Sequence, residues 1–142
     1  MRYVFLDTNI LIYTFSEDEP DKRAVSNKIL LEENCLVSTQ VINELSNILY
    51  KKFNIGYRDA LNVVDEVLTI VNITQVNIET VNIETIKKAH FIKHKYKYSY
   101  YDSLIISSAL ENRCEVLYSE DMQHKQIIEN ETVIINPFES KI

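Results

Sequence analysis

The sequence predicts an α/β fold: a mainly parallel sheet with helices on both faces. Short apolar runs rich in strand formers recur at residues 2–6, Cys35–Ser38, Val116–Tyr118 and Val133–Ile135, and segments long enough for helices separate them. Strands spaced in this way are joined by crossovers, which make neighbours parallel. Acidic residues follow two of the runs, Asp7 directly after Tyr3-Val4-Phe5-Leu6 and Asp121 after Val116 to Tyr118 in Ser119-Glu120-Asp121. Open α/β sheets place their ligand sites at such strand ends.

Each element has a local reason. Residues 2–6 make the first strand, and Ile10-Leu11-Ile12-Tyr13 continues as a helix after the corner Asp7-Thr8-Asn9. Glu17 to Asp21 is an acidic turn containing Pro20, followed by a helix from Lys22 to Glu33 and a strand at Cys35–Ser38. Thr39 is placed to cap the next helix, whose apolar stripe is Val41, Ile42, Leu45, Ile48 and Leu49. Asn54 to Tyr57 breaks that helix; another fits 58–70, with a strand at Asn72–Val76. Residues 76–85 repeat at a five-residue offset, which matches no solenoid period and is treated as accidental. A basic helix covers 80–95, an apolar helix runs from Tyr101 to Asn112-Arg113, and Val116–Tyr118 and Val133–Ile135 are the last strands.

At 142 residues and 46% hydrophobic, the chain is expected to form one domain, 1–142, with enough apolar material to fill its core. The apolar N-terminus is interrupted by Asp7 and Asn9 and reads as a strand, not a signal peptide. No segment is long and apolar enough to span a bilayer. Cys35 and Cys114 lack metal-knuckle spacing and read as buried thiols of a reduced, cytoplasmic protein. A net charge of −6 argues against coating nucleic acid through general electrostatics, so any such contact must be local. The single glycine, Gly56, argues against a Walker loop, a dinucleotide fingerprint and a nucleophile elbow.

Four acids carry the chemistry. Asp7 sits where it serves equally as a helix N-cap or as a metal ligand, with Thr8 and Asn9 beside it. Glu44 lies at the margin of the stripe formed by Val41, Leu45 and Ile48, where a lone glutamate ordinarily belongs to a solvated helix face but is also positioned to look into a cleft. Asp102 has Ile105, Ile106 and Ala109 on its own helical side, so its carboxylate needs a partner, supplied either by capping or by a cation. Asp121 repeats the strand-then-acid pattern, with Glu120 as a competing candidate. Gathered together, four carboxylates repel one another and raise their pKa values until a hard divalent cation relieves them. This chemistry suits a metal-dependent nuclease, in which one or two ions polarise a phosphodiester and lower the pKa of attacking water.

The one strongly basic stretch holds Lys87, Lys88, Lys93, Lys95 and Lys97, interleaved with Tyr96, Tyr98, Tyr100 and Tyr101, and leads directly to Asp102. It reads either as a solvated face with core tyrosines or as a single-stranded RNA contact, with lysines on phosphates and tyrosines on bases. His90 and His94 are one helical turn apart, but Phe91 stands where a zinc protease needs glutamate and no third ligand is evident.

Taken together, Asp7-Thr8-Asn9, Asn43-Glu44, Tyr101-Asp102-Ser103-Leu104-Ile105 and Leu117-Tyr118-Ser119-Glu120-Asp121-Met122 resemble the four motifs of the PIN-domain family, and most closely VapC-like toxins of toxin–antitoxin pairs. The resemblance covers nearly the whole chain. It implies a three-layer α/β/α sandwich with the acids in a pocket at the carboxyl edge of the sheet. It also implies magnesium- or manganese-dependent endoribonuclease activity, with Asp7, Glu44, Asp102 and Asp121 as the catalytic acids and metal ligands, and Asn9 and Ser119 as supporting polar groups. A cognate antitoxin protein and a homodimer are the implied partners. Ser119 keeps the hydroxyl of the threonine common at that position. The low basicity of the chain places RNA affinity on the Lys87–Lys97 stretch and on Lys51, Lys52 and Arg58.

Two rivals make different expectations. A phosphatase using Asp7 as nucleophile needs a second aspartate two residues later, where Asn9 stands. A non-catalytic interaction module of the same fold needs none of the four acids, yet all are retained.

Overall fold

The computed structural model describes residues 2–139. The chain runs β1 (Tyr3–Leu6), α1 (Thr8–Tyr13), α2 (Pro20–Glu32), β2 (Asn34–Ser38), α3 (Thr39–Lys51), α4 (Tyr57–Ile73), β3 (Asn77–Glu79), α5 (Ile83–Tyr96), α6 (Tyr100–Glu111), β4 (Val116–Tyr118), β5 (Ile127–Ile128) and β6 (Thr132–Ile135). The strands form one six-stranded sheet in the order β3-β2-β1-β4-β6-β5, parallel except for β5. Val4, Phe5 and Leu6 are all fully buried, although successive strand residues point to opposite faces. Both faces of β1 are therefore covered, as the α/β reading requires.

The order of the strands positions the site. From β1 the chain moves outward through β2 to β3, then returns to the other side of β1 for β4 and β6. The direction reverses between β1 and β4, so the crevice beyond their carboxyl ends is the topological switch point of the sheet. Leu6 pairs with Tyr118 at those ends, and the Asp7 backbone N–H donates to the Tyr118 carbonyl at 3.0 Å. Asp7 and Ser119 thus leave adjacent strands side by side.

Several sequence expectations need correction. Residues 72–76 are not a strand: α4 continues to Ile73, Gln75 turns at a φ of 59°, and β3 follows at Asn77–Glu79. The burial of Ala60, Val67 and Val71 keeps a helical period through the β-branched residues that suggested a strand. Ser38 rather than Thr39 caps α3, its hydroxyl accepting from the Val41 N–H. Pro20 opens α2 instead of sitting in the turn before it, a position where its missing N–H costs nothing. The unexpected β5 pairs antiparallel with β6 through a turn in which Glu129 and Asn130 both have positive φ. That is the backbone handedness a tight hairpin needs.

Candidate active site

Asp7 is both a helix cap and a buried acid. One carboxylate oxygen accepts from the Thr8 N–H and the other from the Ser119 hydroxyl, each at 2.7 Å. Only 6% of the residue is exposed, and Ser119 is fully buried. Burial pushes the Asp7 carboxyl up to about 7; the negative charges of Asp102 and Glu44 act the same way, and the bonds from Ser119 and Thr8 oppose them. The Ser119 oxygen also accepts from the Met122 N–H at 3.3 Å, which fixes the hydroxyl between strand end and loop.

Glu44 projects from α3 and is half-buried. Its two oxygens accept from the Thr8 hydroxyl at 2.7 Å and from the Gln40 side-chain amide at 3.2 Å. The helical spacing of four residues that brings Gln40 to Glu44 is visible in the sequence, yet no charge signal marks a glutamine. Asp102 occupies the first turn of α6, whose cap is Ser99, so capping does not account for the aspartate. Its carboxyl is raised, first by burial and then by the charges of Glu44 and Asp121.

Asp121 is exposed and accepts from the Asn9 amide at 2.7 Å. Glu120 is committed elsewhere, bonded to the Tyr13 phenol and paired with Lys22. The ammonium of Lys22 also lies 5.0 Å from the ring centre of Tyr13 and 5.5 Å from that of Phe138. Asn9 and Tyr13 are one turn apart on α1, and each holds one of the two successive acids. The loop after β4 is thus stitched to the start of the chain at Asp7–Ser119, Asn9–Asp121 and Tyr13–Glu120.

The charges of the four acids act on one another at the switch point: Asp7 with Glu44 and Asp102, and Asp102 with Glu44 and Asp121. Among the described residues, no three His, Cys, Asp or Glu side chains converge closely enough to enclose an ion. Neutral donors (Thr8, Asn9, Gln40 and Ser119) hold three of the carboxylates in place instead. Carboxylate oxygens held in this way, with burial putting the charges of Asp7 and Asp102 at a disadvantage, match the preferences of a hard divalent cation. A cavity of about 860 Å³ lies between α2 and the segment Asn136–Glu139 and is lined by none of the four acids.

The basic stretch is only partly free. Lys95 pairs with Glu129 and Lys87 lies 3.8 Å from Glu84, while Lys88, Lys93 and Lys97 form no ion pair among the described residues. Tyr96 donates to Glu129 and Tyr98 to Gln126, so these two rings anchor α5 to the β5 region. Tyr101 remains 59% exposed.

The protein is thus an α/β sheet with acidic side chains around the switch point between β1 and β4. The PIN domain model matches residues 4–130, and the chain belongs to the PIN-domain family. A toxin–antitoxin complex from Klebsiella pneumoniae is similar in structure, with a TM-score of 0.69 at 20% identity over 96% of this chain and 99% of that one. VapC20 from Mycobacterium tuberculosis, a toxin that cleaves the sarcin–ricin loop, gives 0.62 at 18% identity over 83% of this chain and 89% of that one. FitAcB from Neisseria gonorrhoeae gives 0.65 at 15% identity over 95% and 98% of the two chains. Comparison with curated protein sequences returns no match.

Proposed function

We propose that this protein is a metal-dependent endoribonuclease that hydrolyses RNA phosphodiester bonds, and that it is the toxin of a toxin–antitoxin pair. The observation that carries the reading is the buried Asp7 carboxylate at the switch point, under the charges of Glu44 and Asp102, with Asp102 in turn under the charge of Asp121. Such an arrangement is costly in an apo pocket and favourable around a cation. Family membership and the toxin complexes among its structural neighbours support the same conclusion.

In this reading Asp7, Glu44, Asp102 and Asp121 hold one or two magnesium or manganese ions. The bound metal supplies Lewis acidity toward the scissile phosphate and lowers the pKa of water for attack. The protein's own contribution is orientation. Thr8 and Gln40 fix the two oxygens of Glu44, Ser119 fixes Asp7, and Asn9 fixes Asp121. Each donor aims the carboxylate it holds, which reduces the reorganisation needed when substrate arrives. Of the lysines at 87, 88, 93, 95 and 97, the three that form no ion pair among the described residues, Lys88, Lys93 and Lys97, supply local attraction for the phosphate backbone that the net charge does not. The partners are an RNA substrate, a cognate antitoxin and a second copy of the chain, in the cytoplasm.

The test is manganese-dependent cleavage of end-labelled single-stranded RNAs by protein stripped of bound partner, beside Asp7→Asn. Cleavage by the native chain that disappears in the variant supports the reading; equal cleavage by both removes Asp7 from the site. One observation favours a second reading, a partner-binding module without catalysis: no three of the acids enclose an ion among the described residues. Failure of the stripped protein to bind manganese would decide for that module.

A further inference from the structure

The chain carries a net charge of −6, yet its proposed ligand is a polyanion. Long-range attraction therefore contributes little, and affinity must come from local contacts, among them contacts that do not depend on charge. The face leading to Asp102 offers one. Of the four tyrosines there, Tyr96 and Tyr98 are held by Glu129 and Gln126. Tyr100 and Tyr101 are not: their rings lie 5.6 Å apart, and the exposed His90 extends the row, 5.4 Å from Tyr100. Tyr101 presents 59% of its surface to solvent immediately before Asp102 in the first turn of α6.

We infer that Tyr101, backed by Tyr100 and His90, is a stacking platform for one unpaired nucleobase of an RNA strand whose scissile phosphate lies at the acids. An exposed aromatic ring one residue from Asp102 accepts any base face, and it requires that the base be out of a duplex. The platform thus selects single-stranded segments without reading their sequence. Tyr100, itself packed against His90, contributes by packing: it limits the orientations open to Tyr101, so less freedom is lost when a base stacks. The inference takes its ligand class from the ribonuclease reading but not its geometry.

The experiment uses the full chain in EDTA with a short RNA carrying a single 2-aminopurine, whose fluorescence falls on stacking. Native protein should quench the single strand. Tyr101→Phe should do so equally, and Tyr101→Ala should bind on the order of tenfold or more weakly. Tyr57→Ala removes a tyrosine that is 67% exposed on α4, and should match the native chain. The same RNA annealed to its complement should not be quenched. Quenching that is absent, or unchanged in Tyr101→Ala, would overturn the platform. Cleavage with manganese separates the two claims. Tyr101-dependent quenching without any cleavage would sink the nuclease reading alone, and cleavage with Tyr101-independent quenching would sink the platform alone.

Discussion

The Asn9 side-chain amide donates to the Asp121 carboxylate across 2.7 Å, joining the first turn after β1 to the loop after β4. The contact spans 112 positions in sequence and links two elements that the sheet brings together at its switch point. It sets where the most exposed of the four acids points. Asn9→Ala should therefore weaken manganese binding by about 10- to 100-fold, the usual effect of removing a group that orients a ligand, with little change in melting temperature. Calorimetric titration checks this, and an unchanged affinity would show that Asp121 is placed by something else.

Glu120 and Asp121 make opposite predictions. The Glu120 carboxyl is subject to an upward push from burial, which its bonds to Lys22 and Tyr13 outweigh, so it stays below its ordinary value. Glu120→Gln should cost about 1 kcal/mol of stability, as expected for a half-buried ion pair, and leave manganese affinity within twofold. Asp121→Asn should leave stability nearly intact and lower the affinity. Denaturant unfolding and manganese titration on both variants distinguish them.

Removal of the Ser119 hydroxyl leaves one oxygen of a buried carboxylate without its donor. Ser119→Ala should destabilise the metal-free protein by about 1–3 kcal/mol, and by less below pH 4, where Asp7 is protonated in folded and unfolded chains alike. Urea unfolding at two pH values reads the difference.

The titration of Asp7 predicts an unusual pH dependence for the metal-free protein. Its carboxyl stands at about 7 in the folded chain against 3.8 ordinarily, because burial disfavours the charge. Between those values the folded chain keeps a proton that the unfolded chain has released. The contribution of Asp7 is therefore fully present below about pH 4, falls as pH rises through about 7, and is constant above that. The loss is on the order of 3–5 kcal/mol. Unfolding from pH 4 to pH 8 in EDTA measures it, and Asp7→Asn should flatten the slope.

Much of this was legible in the sequence. The four apolar runs that became β1, β2, β4 and β6 are buried strands, and an apolar strand surrounded by helices has little alternative. Asp7 was legible because a carboxylate at a strand-to-helix corner is conspicuous. β3 was misplaced because it is a short, largely exposed edge strand, and the β-branched residues before it belong to α4. β5 escaped because two residues carry no periodicity, and its pairing depends on the turn at Glu129-Asn130. The ambiguity between Glu120 and Asp121 needed three dimensions: adjacent residues in a loop point apart, and only the positions of Asn9, Tyr13 and Lys22 decide which acid goes where. Gln40 was invisible for a different reason, since it acts through Glu44 and carries no charge of its own.

The central claim is that four carboxylates at the β1–β4 switch point form one metal-holding pocket. Manganese titration of partner-free protein, native beside Asp7→Asn, Glu44→Gln, Asp102→Asn and Asp121→Asn, tests it most directly. The account predicts saturable binding by the native chain and weaker binding in every variant, with each variant still folded by circular dichroism. Native protein that binds no manganese, or variants that all bind as the native chain does, would contradict it.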